Sequence, residues 1–333
     1  MQFISELKLR LQAPKKAVII PHKNPDGDAL GSTLALMLFL KAKNWDATVI
    51  SPNDYPNFLN WLPYQDQILR YKHQPKEIRE KMTHADLIFT LDFNALSRCG
   101  DLKSLVERSK AERIMIDHHE SPEDYAQLIY SDPTMSSTCE MVYHLIHELD
   151  PSAFTPEIAN CLYTGIMTDT GSFRYPATTP TTHRAIAHLI EKGANGDRIH
   201  QKIYDSSSFS RLKLLGLTLS KMNKIEGLPV VYMTLNKEEL DQCDYKKGDT
   251  EGFVNYGLSL EGILFSCIMI ENESDGVVKM SFRSQGNFSV NEFARVYFNG
   301  GGHHNAAGGI SDKSIDQTVA TFKKALKEIE HEF

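Results

Sequence analysis

None of the five cysteines (Cys99, Cys139, Cys161, Cys243, Cys267) belongs to a Cys-x-x-Cys pair. Their scatter argues against a zinc knuckle or a disulfide framework and suits a reducing cytoplasm. No run of about eighteen uncharged apolar residues exists, so no membrane span is expected. The opening MQFISELKLRLQAPKK interleaves charges with Phe3, Ile4, Leu7, Leu9 and Leu11; it reads as a short amphipathic helix, not a signal peptide. Positive charge is in short supply: 43 acidic residues face 36 basic ones, for a net charge of −7. A grip on long duplex DNA through many phosphates needs a basic surface, so the balance favours a small or short anionic substrate. Tandem repeats and low-complexity tracts are absent as well. What remains is globular: 41% apolar and 24% charged residues can bury a core, and 333 residues predict two domains.

Aliphatic runs alternate with helical patterns through the first half. Strands are expected at 16–20, 47–51, 86–92 and 113–119, with helices at 32–43 (Ser32 as N-cap) and around 95–108. Such alternation predicts a parallel, doubly wound sheet. Helices are then expected at 137–149, 156–170 and 181–193. From about 205 the texture changes to a polar break, a connecting helix, further apolar runs (LPVVYMTL, GILFSCIMIE, GVVKMSFRS), a loop NGGGHHNAAGG and a last helix near 315–331. A smaller α+β domain follows.

The stretch IIPHKNPDGDALGS (19–32) places His22, Asp26 and Asp28 after a buried-type strand. In open α/β sheets ligands bind outside the carboxyl ends of the strands. Pro25 and Gly27 are expected to keep this segment a loop, although Asn-Pro-Asp-Gly is by itself good turn chemistry. Two other strand ends add to it. LIFTLD delivers Asp92, and RIMIDHH delivers Asp117, His118 and His119, while Asp169 closes an apolar helix. So many carboxylates cannot crowd together without compensating cations. A divalent pair about 3.5–4 Å apart, bridged by one aspartate, suits in-line phosphoryl displacement. Oxygen-rich ligands with some imidazole and no thiolate suit Mn²⁺, less well Mg²⁺, with Zn²⁺ or Co²⁺ as further occupants.

HKNPDGDALGS, LDFNALSR, IDHHE and MTDTGSF resemble, in order and spacing, four motifs of the DHH phosphoesterase superfamily. FNGGGHHNAAGG (298–309) is similar to the glycine-rich signature of the DHH-associated C-terminal domain. Within that superfamily the chain most resembles bacterial bifunctional oligoribonucleases that are also 3′-phosphoadenosine-5′-phosphate (PAP) phosphatases. The resemblance implies a cytoplasmic enzyme with residues 1–204 as the metal-binding catalytic domain, 205–222 as a linker helix and 223–333 as the substrate-binding domain. The active site would lie in the cleft between them. Two Mn²⁺ per chain are implied, with Mg²⁺ or Co²⁺ as substitutes. One ion would sit on His22, Asp26 and Asp92, the other on Asp28, Asp92, His118 and Asp169. His119 would act on the scissile phosphate and Asp117 would orient a neighbouring histidine.

Substrate contacts are expected from Arg98, Ser137 at a helix N-terminus, Arg283, and the Gly301, Gly302, His303 and His304 run, whose backbone amides can approach an anion closely. Expected substrates are RNA oligonucleotides of two to five residues and nucleotide bisphosphates, not long duplex DNA; a homodimer is left open. Linear dinucleotides such as pApA or pGpG, cyclic dinucleotides, pyrophosphate and polyphosphate are the chemically adjacent alternatives. Replacing the proposed bridge, Asp92→Ala, is expected to abolish hydrolysis and paired-metal binding together. Two ions retained per chain in that variant, counted by metal analysis after dialysis, would refute the bridge.

Overall fold

The strands at the centre of the first sheet carry hardly a polar residue, and the computed structural model shows why. It describes residues 2–13, 15–272 and 276–333. The chain divides into two compact units, Met1–Ser206 and Ser207–Phe333.

In the first unit, strands β1 (Lys16–Pro21), β2 (Asp46–Ser51), β3 (Leu69–Arg70), β4 (Leu87–Leu91), β5 (Glu112–Asp117) and β6 (Leu128–Ser131) form one parallel sheet in the order β3-β2-β1-β4-β5-β6. The unit's helices are α1 (Gln2–Arg10), α2 (Gly27–Ala42), α3 (Pro75–His84), α4 (Lys103–Arg108), α5 (Thr138–Leu149), α6 (Pro156–Asp169), α7 (Pro180–Glu191) and α8 (Gly196–Tyr204). Both sheet faces are covered. Ile19, Phe89 and Ile114 pack with residues of α2, α5 and α6, while their neighbours Val18, Ile20 and Ile88 pack with Ile78, Met82 and Val106 of α3 and α4. A strand buried on both sides has no position at which a polar residue is welcome. The strand order reverses between β1 and β4, the point at which such sheets bind ligands. This is the doubly wound α/β architecture expected for the N-terminal part.

Two local expectations are corrected. Helix α2 begins at Gly27, not after Ser32, and its N-cap is Asp26, whose carboxylate accepts the amides of Asp28 and Ala29 at 3.1 and 3.0 Å. Ser32 is buried inside the helix and donates back to the Ala29 carbonyl. Asp26 wins because an ionised cap on N2 and N3 also meets the positive end of the helix dipole. The helix expected around 95–108 is a 3₁₀ segment, Leu96–Leu102, followed by α4, and it is broken at Gly100, where φ is +56°.

Helix α2 is apolar on all sides and crosses α6 at contact distance. A Cβ on Gly165 would lie 2.2 Å from Cys139 Sγ and 2.9 Å from Asp28 Cα, and one on Gly31 would lie 2.5 Å from the Cys161 carbonyl oxygen. The crossing therefore fixes how closely Asp28 on α2 approaches Asp169 at the end of α6.

In the second unit, β7 (Asn223–Lys224), β8 (Val230–Leu235), β9 (Phe265–Asn272), β10 (Val277–Ser284), β11 (Gly301–His303) and β12 (Ala306–Ser311) form a sheet in the order β11-β12-β10-β9-β8-β7. Only β8 and β9 run parallel. The helices α9 (Phe209–Ser220), α10 (Lys237–Gln242), α11 (Val290–Tyr297) and α12 (Ile315–Glu328) complete it. One core gathers Phe265, Phe282, Phe288, Phe293, Phe298 and Phe322 in edge-on and tilted ring contacts; another packs Leu214 of α9 with Met233, Leu235, Phe253 and Ile268. This is the smaller α+β unit. Among the described residues no helix is long and apolar enough to cross a membrane.

Two glycine-to-alanine changes should move stability in opposite directions. Gly165→Ala forces a methyl into Cys139 and the Asp28 backbone and should cost about 3 kcal/mol in chemical denaturation. Gly216→Ala on exposed α9, where nothing lies within 4 Å of the added methyl, should instead stabilise by about 0.5–1 kcal/mol.

Candidate active site

β1 and β4 are neighbours in the sheet, so the residues that leave their carboxyl ends, His22 and Asp92, are brought side by side. His22 is fixed by its own loop: Nδ1 bonds the Lys23 carbonyl at 2.9 Å, which turns Nε2 toward Asp26 Oδ2 (3.7 Å) and Asp92 Oδ2 (3.4 Å). The loop is held on both flanks. The Lys23 amide donates to the Arg98 carbonyl at 2.7 Å, and Asn24, with φ of +57°, exchanges two bonds of 2.7 and 2.8 Å with Asn53 beyond β2.

Asp92 is buried, and its backbone is left-handed with φ of +66°. Its two oxygens face different neighbours. Oδ2 faces His22, whereas Oδ1 accepts from Thr138 Oγ1 at 3.1 Å and lies 3.6 Å from His118 Nε2. His118 Nε2 is also 3.4 Å from Asp169 Oδ2 and 3.9 Å from Asp28 Oδ2. Potential ligand atoms of His22, Asp26 and Asp92 thus lie within 4.8 Å of one another, as do those of Asp28, His118 and Asp169. His119 Nδ1 meets Asp117 Oδ1 at 2.6 Å, so Asp117 orients this second histidine.

Two partners escaped the sequence reading. The amides of Thr138 and Cys139 donate to the two oxygens of Asp28 at 2.7 and 2.8 Å, and the Thr138 hydroxyl reaches Asp92. The SSTCE segment does signal a helix N-terminus with anion-binding capacity, but the anion there is the chain's own Asp28. Ser137 is buried and serves as the α5 N-cap, accepting the Glu140 amide at 3.0 Å. Arg98 is half-buried on the 3₁₀ segment and its positive charge bears on His119. Arg283, Gly301, Gly302, His303 and His304 belong to the second unit. There the Gly300 and Gly302 amides already donate to the Ala294 carbonyl (3.1 Å) and Asn291 Oδ1 (3.0 Å), and Arg283 Nη1 donates to the Phe282 carbonyl.

The electrostatics of the cluster fit a cation. Burial and the neighbouring Asp28 carboxylate push Asp92 up to about 8, and burial raises Asp28 as well. Against the desolvation that disfavours its charge, Asp26 and Asp92 lift His22 to about 10. His119 is driven well below its usual range by burial, by Arg98 and by the other imidazoles. Carboxylates that cannot all ionise together, beside imidazoles aimed at the same space, form a donor set that fits hard or borderline divalent cations.

A pH dependence follows. Between pH 6.5 and 8 the folded metal-free chain holds protons on Asp92 and His22 that the unfolded chain releases. Its stability should therefore fall as pH rises through that window. Thermal unfolding in chelator should show the fall, and added Mn²⁺ should raise the midpoint more at pH 8 than at pH 6.5, because binding displaces those protons.

Comparison with known proteins identifies the family. Residues 16–166 match the DHH family N-terminal domain and residues 227–332 the DHHA1 domain. A bifunctional oligoribonuclease and PAP phosphatase of Thermus thermophilus is 31% identical over 329 residues, covering 98% of this chain and 94% of that protein. The crystal structure of an exopolyphosphatase-related protein from Bacteroides fragilis superposes with a TM-score of 0.94 at 40% identity, over 98% of this chain and 96% of that one. The exonuclease RecJ of T. thermophilus, crystallised with Mn²⁺, shares the fold at a TM-score of 0.55 and 15% identity, over 100% of this chain and 54% of its own. With both domains matched and one relative similar along nearly its whole length, the chain belongs to the DHH family and pairs its DHH domain with a DHHA1 domain.

Proposed function

We propose that this protein is a two-metal phosphoesterase that hydrolyses short oligoribonucleotides, two to five residues long, to mononucleotides and PAP to AMP and phosphate. The observation that carries the reading is Asp92, one buried carboxylate whose two oxygens face two separate groups of ligand atoms. His22 and Asp26 would hold one divalent ion with it. Asp28, His118 and Asp169 would hold the other. Mn²⁺ is the preferred occupant, two per chain, with Mg²⁺ or Co²⁺ as substitutes.

Bound divalent metal supplies Lewis-acid charge to the phosphoryl group and lowers the pKa of a water toward neutrality. The chain's own residues do the rest. His119 donates Nδ1–H to Asp117, so the neutral ring keeps its lone pair on Nε2 and can accept and return a proton as the ester bond breaks. Arg98 adds positive charge beside it, suited to a phosphate oxygen. Residues 1–204 would form the catalytic domain and 223–333 the substrate-binding domain, and the linker helix expected at 205–222 contains α9, whose Leu214 packs in the core of the second unit. In the substrate-binding domain, Arg283, Gly301, Gly302, His303 and His304 are the proposed nucleotide contacts. Because the Gly302 amide is already engaged, the imidazoles and the guanidinium are the stronger candidates. Ser137 contributes by holding the first turn of α5.

The excess of acidic residues supports short substrates over long nucleic acid. All five cysteines are buried free thiols, which supports a reducing, cytoplasmic setting.

The test is a set of parallel incubations with Mn²⁺ and, separately, PAP, a 5′-phosphorylated RNA dinucleotide, a cyclic dinucleotide, pyrophosphate, polyphosphate and a long single strand. AMP with phosphate from PAP, and mononucleotides from the dinucleotide, are expected. Turnover confined to pyrophosphate or polyphosphate would overturn the proposal, and so would preference for the cyclic dinucleotide or the long strand.

A further inference from the structure

We infer that Tyr125, whose hydroxyl bonds Thr90 and Phe93 on either side of Asp92, is the positioning residue that keeps the Asp92 carboxylate in its bridging orientation. The inference rests on the two-metal reading above. Asp92 sits in the left-handed region, φ +66°, where a non-glycine residue stays only if its surroundings hold it. The backbone before it is fixed by β4, and the Asp92 amide itself donates to the Ile116 carbonyl at 3.1 Å. The backbone after it leaves the sheet, and something must fix that side too.

Tyr125 spans the residue. Its hydroxyl lies 2.8 Å from Thr90 Oγ1, two positions before Asp92, and donates to the Phe93 carbonyl, one position after it, at 3.3 Å. Thr90 is wholly buried and Phe93 is fully enclosed. The ring lies nearly parallel to that of Phe93, with centroids 6.4 Å apart at 10°. Tyr125 is anchored in turn: Arg113 Nε on β5 donates to its carbonyl at 2.8 Å. The segment leading to it is laced to the chain after Asp92. The Glu123 amide donates to the Asn94 carbonyl at 2.8 Å, and the Leu96 amide to Glu123 Oε2 at 3.2 Å. One hydroxyl thus ties both sides of a left-handed aspartate. A rotation at that aspartate would swing its oxygens away from His22 and His118.

Tyr125→Phe removes that oxygen and keeps the ring in place. Thr90→Val removes the other end of the chain at equal volume. Each variant, loaded with Mn²⁺, is compared with wild type by Mn²⁺ titration, by electron paramagnetic resonance of the exchange-coupled pair, by steady-state hydrolysis of PAP and by thermal unfolding. Wild type should bind two coupled ions; an uncoupled wild type overturns the bridging reading and this inference with it. With wild type coupled, Tyr125→Phe should weaken Mn²⁺ binding about 10-fold and diminish the coupling. It should lower kcat with KM for PAP unchanged. Thr90→Val should reproduce the effect, and the double variant should be little worse than either single one. A folded Tyr125→Phe protein with wild-type Mn²⁺ affinity and coupling overturns the inference, as does a loss confined to thermal stability.

Discussion

Mutual repulsion among carboxylates is the constraint around which the first unit is arranged. Asp26, Asp28, Asp92 and Asp169 converge at the reversal point of one sheet, and Asp117 stands directly behind. Left alone, such a cluster would hold protons or spread apart. The protein prevents the second outcome by bonding or anchoring each carboxylate to a rigid element. Asp26 caps α2, Asp28 is bonded to the first amides of α5, Asp92 is locked at the exit of β4, and Asp169 ends α6. The first outcome is one that a bound cation would reverse.

Rigidity is supplied by packing. Helix α2 can bring Asp28 toward Asp169 because Gly31 and Gly165 leave no side chain between it and α6. Beside that crossing lies Cys139 Sγ, a buried thiol that donates to the Asp28 carbonyl. Close packing transmits error as faithfully as it transmits order. A methyl group at the crossing would be felt at the proposed ligands through Asp28.

Much of this was legible in the chain itself, for a physical reason. The central parallel strands must be largely apolar, so a charged residue or histidine at the end of such a run, as in LIFTLD or RIMIDHH, marks where the chain leaves the sheet. His22, Asp92 and His118 were readable on that ground, and Asp169 as the polar end of an apolar helix. The short edge strands β3 and β6 were not, because Leu69–Arg70 and Leu128–Ser131 are too brief to show a period. Nor was the true start of α2: Ser32 and Asp26 are both good caps, and only the fold decides which amides need one. Thr138, Cys139, Asn53 and Tyr125 escaped for a different reason. Each acts through a contact made across the fold, and no local pattern records it.

Asp26 combines two duties in one carboxylate. Its Oδ1 accepts the first amides of α2, while Oδ2 faces His22. Folding therefore orients this proposed ligand before any ion arrives, and an ion bound there would meet a group with little freedom left to lose. The entropy of assembling that part of the site is spent when the helix forms, so an ion's affinity there reads out helix integrity as well as coordination chemistry.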